Sequence, residues 1–148
     1  RDLRMSRGLG DVYKRQPYDD AVYMLKVTGT QLERMIRHIL RDEAFQGEHT
    51  EFYQFSHGTH IVWSRSEQAF RTLTLDGEAL HAERLYTVAV QKYHYNNLKP
   101  FLDITLEEVE KNGKIRVLST SARDVVEEYL TVNQHLSREV EGRLVVED

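Results

Sequence analysis

A change of hydrophobic period at residues 28–30 dictates how the first part of this chain can pack. From Ala21 to Val27 the apolar residues alternate, with Tyr23, Leu25 and Val27 on one face, which is the period-2 pattern of a half-buried strand. Thr28-Gly29-Thr30 breaks that pattern. Beyond the break, Leu32, Met35, Ile36, Ile39 and Leu40 fall at i, i+3, i+4, i+7 and i+8. This spacing lays one apolar stripe along a helix whose other side carries Glu33, Arg34, Arg37 and Arg41. Thr30, followed three residues later by Glu33, predicts a capping box at the helix start, where hydroxyl and carboxylate each satisfy an orphan amide.

A strand-rich stretch follows. Thr59 to Trp63, Phe70 to Leu75 and Leu85 to Gln91 read as strands, the last with Tyr86, Val88 and Val90 alternating against Thr87 and Ala89. Asp76-Gly77 is a tight-turn signal, because both central positions of such a turn need positive φ, so the strand ending at Leu75 should fold back as a hairpin. A second unit then begins: Thr105 and Glu108 cap a short helix ending at Asn112-Gly113, and Ile115 to Leu118 is a strand. Ala122, Val125, Val126, Tyr129 and Leu130 repeat the helical spacing, started by Thr120 or Ser121, and Leu144 to Val146 is a closing strand. The expected class is α+β: a single domain with a mixed sheet, helices packed on one side of it, and a C-terminal extension of short helix, strand, helix and strand.

Composition narrows the functions. The 148 residues suit one domain or a fragment of a longer chain, and a hydrophobic content of 40% supports an ordinary core. With 30% charged residues and a formal net charge of −4, a broad electrostatic grip on nucleic acid is not expected, whereas a small anionic ligand held by local contacts is compatible. There is no cysteine, hence no disulfide and no Cys-based metal or redox site. No apolar run approaches the ~18 residues of a membrane span. Residues 1–16 have neither helical nor strand period, and Gly8 to Gln16 resembles translated adaptor sequence, so the domain is expected to begin near Pro17 and the leader to be foreign or disordered.

Two aromatic clusters, Phe52-Tyr53-Gln54-Phe55 and Tyr93-His94-Tyr95, flank the strand-like runs. Together they suit a clamp for a flat heterocycle, since a stacked base gains about 1 to 3 kcal/mol per face whatever its identity. The alternative is that both clusters are core. Other chemistry has little support. His57 and His60, near His49, lie three residues apart and point to opposite faces if they share a strand, which argues against a common ion. Asp42, Glu43, Glu107, Glu108, Glu127 and Glu128 fall on helix exteriors or ends, where solvated charge is the ordinary role. Ser56 and Ser64 lack the glycine frame of a nucleophile elbow, and no Gly-rich phosphate loop is present.

Pro17-Tyr18-Asp19-Asp20, Val27-Thr28-Gly29-Thr30-Gln31-Leu32, Glu51-Phe52-Tyr53-Gln54, Leu75-Asp76-Gly77 and Leu85-Tyr86-Thr87-Val88-Ala89 recur in an order that resembles the C-terminal domain of the 5'-nucleotidases, the family that includes UDP-sugar hydrolases and 2',3'-cyclic phosphodiesterases, in a bacterial branch. The resemblance runs from Pro17 to about Phe101, the expected core, with residues 102–148 as an extension. It implies that this chain is the substrate-recognition half of a hydrolase. A separate N-terminal metallophosphoesterase domain would hold a pair of divalent metals and perform the hydrolysis, and this chain alone would be inactive and bind no metal. It also implies base-stacking roles for Phe52 and Tyr93, with Gln54 ordering the backbone, and export to the periplasm, cell surface or medium.

The sequence departs from that family where a Gly-Gly-Asp-Gly loop would bind ribose: here stands Asn97-Leu98-Lys99-Pro100. Proline removes a donor and a glycine's freedom is lost, so that loop cannot form unchanged. His94, Tyr95, Asn96 and Asn97 are the candidate substitutes for hydrogen bonding to the sugar, the asparagines having a turn as their other reading. The family's upstream Asn-Gly-Gly-x-Arg segment is replaced by the leader. Two functions remain: recognition of a nucleotide or nucleoside, or an interaction module that keeps the fold without that recognition.

Overall fold

The computed structural model describes residues 21–46, 53–133 and 139–148. In chain order the elements are β1 (Ala21–Thr28), α1 (Gly29–Ile39), a 3-10 turn (Asp42–Phe45), β2 (Thr59–Ser64), β3 (Ala69–Leu75), β4 (Glu78–Ala79), β5 (Leu85–Gln91), α2 (Lys92–Asn96), α3 (Leu98–Leu102), α4 (Leu106–Asn112), β6 (Arg116–Ser121), α5 (Ala122–Val132) and β7 (Leu144–Glu147). The class is α+β. The described strands form two sheets: an antiparallel one ordered β5-β1-β6, and a mixed one ordered β4-β3-β2-β7 in which β7 runs parallel to β2.

Helix α1 joins the two sheets through its single stripe. Met35 and Ile39 pack with Leu25 and Val27 of β1 and with Leu98, Leu102, Ile104 and Val109. Ile36 and Leu40, one residue further round the helix, pack with Ile61 and Trp63 of β2. Leu32 and Phe55 are half-buried and touch both clusters. A stripe wider than two heptad positions can serve two cores at once, and each of these side chains gains about 1.5 to 3 kcal/mol on full burial.

The helix begins earlier than its Thr30/Glu33 signal implies. Thr28 is the N-cap: its hydroxyl accepts the Gln31 amide at 3.2 Å and the Gln31 side chain accepts the Thr28 amide at 2.9 Å. Thr30 is diverted, its hydroxyl donating to the Ala82 carbonyl at 3.2 Å, and Glu33 pairs with Arg37 at 3.0 Å along the helix. Two further orphan amides, those of Gly29 and Thr30, donate to the carbonyls of Arg84 and Ala82 at 3.0 Å each. The loop before β5 therefore caps α1, and it sits so close that a Cβ on Gly29 would lie 2.0 Å from the His81 carbonyl oxygen. The Thr105/Glu108 box of α4 forms as its sequence predicts. Glu108 also pairs with Arg34 at 2.8 Å, tying α4 to α1, and its carboxyl is held below the usual range by the Thr105 amide, then by Arg34. At Asp76-Gly77 the φ values are 50° and 82°, both positive as the β3–β4 hairpin requires.

The segment read as an altered loop is helical. Lys92–Asn96 and Leu98–Leu102 are two short helices broken at Asn97, whose φ of −131° is non-helical. Pro100 fits because it is the third residue of α3, within the first turn, where an amide has no intrahelical partner to lose. Leu98 and Leu102 are then buried on the α1–β1 core.

The C-terminal strand is anchored beside β2. Arg143 donates through Nε to Glu141 at 2.7 Å, the His57 ring faces the same carboxylate at 3.1 Å, and the Ile61 amide donates to the Arg143 carbonyl at 2.8 Å.

Two outcomes are expected. Gly29→Ala should destabilise the chain by about 1 to 3 kcal/mol, because the intruding carbon meets backbone that cannot swing aside; urea unfolding measures this. The Glu141 carboxyl is lowered to about 2, first by the Arg143 hydrogen bond and then by His57. Its contribution to anchoring β7 is therefore present above the ordinary glutamate range and is lost as the pH falls toward about 2. Acid titration followed by amide exchange in β7 should show that loosening, and Glu141→Gln should remove this step from the profile.

Candidate functional site

Helix α2 follows β5 without a linker, and successive helical residues point about 100° apart. Its three aromatic residues are consequently divided between two environments. Tyr95 turns back onto β1, where its ring stacks on Tyr23 with centroids 4.0 Å apart and planes within 9°. Burial, then Tyr23 and Glu110, raise the Tyr95 phenol pKa above its usual value. One face of Tyr95 is thus occupied by protein.

Tyr93 and His94 turn the other way and meet rings from two other segments. Tyr93 lies 5.4 Å from Phe101 at 55°, and His94 lies 5.6 Å from Phe101 and 5.1 Å from Tyr53, edge to face in both cases. Tyr93 and His94 are themselves 5.6 Å apart and nearly perpendicular. All four rings are half-buried. Edge-to-face contacts align positive ring edges with negative faces and add about 0.5 to 1.5 kcal/mol each beyond area burial. The two aromatic segments singled out in the sequence therefore converge, with His94 at the junction. Phe52, the other proposed clamp residue, lies outside the described residues.

The polar candidates are distributed differently. The Asn97 side chain donates to the Tyr93 carbonyl at 2.8 Å, its amide donates to the His94 carbonyl at 3.1 Å, and its carbonyl accepts the Phe101 amide at 3.2 Å. Asn97 thereby welds α2 to α3 and sets the spacing of Tyr93, His94 and Phe101. Asn96 is exposed at the end of α2. From the other side, His38 of α1 donates through Nε2 to the Pro100 carbonyl at 2.9 Å, so that nitrogen carries its proton. Lys99 pairs with Asp103 at 2.6 Å, which holds the Asp103 carboxyl below its ordinary range at the left-handed end of α3.

Residues 53–56 have no regular structure, so their backbone groups need partners from elsewhere. The Phe55 carbonyl accepts from Arg143 Nη1 at 2.6 Å, and the Ser56 carbonyl accepts the Thr59 amide at 3.2 Å. Phe101 and Tyr53 are the members of this ring cluster that the sequence did not single out individually. Phe101 carries no local signal, because the break at Asn97 between α2 and α3 interrupts the helical period that would relate it to Tyr93 and His94. Among the described residues no group of three or more His, Asp or Glu side chains is placed to hold a metal ion.

The family model described as 5'-nucleotidase, C-terminal domain, matches residues 8–102. A search of curated proteins found no match. Among solved structures, a 5'-nucleotidase precursor from Thermus thermophilus superposes with a TM-score of 0.72 at 18% identity, over 95% of this chain and 28% of that one. A putative 5'-nucleotidase from Staphylococcus aureus, solved in complex with alpha-ketoglutarate, gives a TM-score of 0.62 at 16% identity, over 93% of this chain and 29% of that one. At these identities the two structures bear on the fold, and this chain spans under a third of either protein. With more than half of its length matched by the family model, the chain belongs to the 5'-nucleotidase C-terminal domain family.

Proposed function

We propose that this chain is the nucleoside-recognition domain of a two-domain, metal-dependent 5'-nucleotidase-type phosphohydrolase, and that it is inactive by itself. The observation that supports this most directly is the convergence of Tyr53, Tyr93, His94 and Phe101 from three separate segments of a domain in this family. The proposed ligand is a nucleotide or nucleoside whose base stacks on Tyr93, with Phe52 on the opposite face. In this proposal His94 and Asn96 are the partners of the sugar, Asn96 having the most exposed side chain; Asn97 acts chiefly by holding the helix junction, and Tyr95 is turned onto Tyr23 of β1, away from Tyr93 and His94.

The hydrolytic step belongs, in this proposal, to an N-terminal metallophosphoesterase domain with its pair of divalent ions. The described residues of this chain provide no ligand set for such ions, and they take no chemical step in it. Export, to the periplasm, cell surface or medium, is part of the same proposal and rests on the family. Among the described residues no helix is long and apolar enough to cross a membrane.

A second reading, a non-catalytic interaction module, is favoured by one observation. Tyr93 and Phe101 pack on each other with centroids 5.4 Å apart, so part of the aromatic surface is spent on packing within the domain.

Binding and turnover separate the two. Calorimetric titration with adenosine should show binding by the 148-residue chain, weakened by about 1 to 3 kcal/mol in Tyr93→Ala and again in Phe52→Ala. Unchanged affinity in both variants, or no binding by the parent chain, would favour the interaction module. Incubating the chain with a nucleoside 5'-monophosphate and a divalent metal should release no phosphate; sustained release would sink the assignment of hydrolysis to another domain.

A further inference from the structure

We propose that Arg143 is a positioning residue for the aromatic site: it fixes the irregular segment 53–56 and, through it, the Tyr53 ring against His94. This role rests on the nucleoside-binding reading of that site. Its grounds are geometric. Residues 53–56 belong to neither helix nor strand, and the Phe55 carbonyl, in the middle of the segment, receives the Arg143 guanidinium at 2.6 Å. The Phe55 ring packs against both hydrophobic clusters, so carbonyl and ring together fix this residue from two sides. Tyr53 is two residues away, with its ring 5.1 Å from His94.

Arg143 is itself held at two points. Its carbonyl accepts the Ile61 amide at 2.8 Å beside the β2–β7 ladder, and its Nε is clamped on Glu141 at 2.7 Å. Glu141 is braced by His57 at 3.1 Å, just beyond the segment being positioned. A planar guanidinium reaches two acceptors in fixed directions, here Glu141 through Nε and Phe55 through Nη1, which an ammonium cannot do. Arg143 and Glu141 lie outside residues 8–102, so the C-terminal extension becomes a working part of the recognition site and not an appendage to it.

The test uses the 148-residue chain with Arg143→Ala, Arg143→Lys and Glu141→Gln, titrated with adenosine at a temperature where each is folded. Arg143→Ala should weaken binding about tenfold, and Arg143→Lys should recover part of that loss. The NMR signals of the His94 ring protons, which sit in the ring current of Tyr53, should shift in Arg143→Ala. A role confined to stability would lower the melting temperature while leaving affinity and those signals unchanged, and that result overturns the proposal. Should Arg143→Ala not fold, Arg143→Lys and Glu141→Gln carry the test: weaker binding with shifted His94 signals supports it, and affinity equal to the parent overturns it. A parent chain that binds no nucleoside removes the underlying reading, and this positioning role with it; a parent that binds while Arg143→Ala binds equally well removes the positioning role alone.

Discussion

Helix α1 is wedged between two sheets, and the burial of its one apolar stripe holds the described domain together. Met35 and Ile39 close the core over β1 while Ile36 and Leu40 close the core over β2. Neither sheet has another described element that reaches both cores in this way, so loss of packing on one side of the helix is felt on the other. The position of the wedge along its axis is set at its N-terminus, where the carbonyls of Ala82 and Arg84 take up the first amides and Gly29 slides under His81. The chain leading into β5 thus becomes part of the helix cap.

The aromatic site inherits its geometry from that wedge. Residues 53–56 lead into β2 on one side of α1, and α2 leaves β5 on the other. They meet because Phe55 touches both cores and because His38, on α1 itself, reaches the Pro100 carbonyl. The Tyr23–Tyr95 stack secures the back of α2. Tyr93, His94, Tyr53 and Phe101 are therefore carried by segments that are each tied down behind the rings, a condition for a binding surface that is not to be rebuilt on every encounter. A ring that packs on a neighbour, as these do, leaves only its remaining face uncovered.

Much of this was legible in residue pattern. The strand-to-helix switch at residues 28–30, the Asp76-Gly77 hairpin, the Thr105/Glu108 box and the alternation along β5 all reappear in the structure within a residue or two. Those features are local: a capping residue, a positive φ or a period acts over one turn or one pleat. The errors are local signals that lost to a distant partner. Thr30 and Glu33 have the correct spacing for a box, yet Ala82 claims the hydroxyl and Gln31 completes a box with Thr28 instead. Asn97 to Pro100 carries turn residues, yet the burial of Leu98 and Leu102 on α1 and β1 makes helix the better solution.

Composition and periodicity determined the α+β class, the buried faces of β1 and α1 and the two aromatic segments, because these depend on side-chain spacing along a single stretch of chain. The same spacing in α5 leaves Tyr129 and Leu130 exposed among the described residues. Tertiary structure alone decided that the strands divide into two sheets with α1 between them, that Tyr95 faces β1 while Tyr93 faces Phe101, and that Arg143 reaches the Phe55 carbonyl. The reason is physical. Which partner satisfies a carbonyl or covers a ring is settled by comparing contacts across the whole folded chain, and residues 88 positions apart, as Phe55 and Arg143 are, share no local signal.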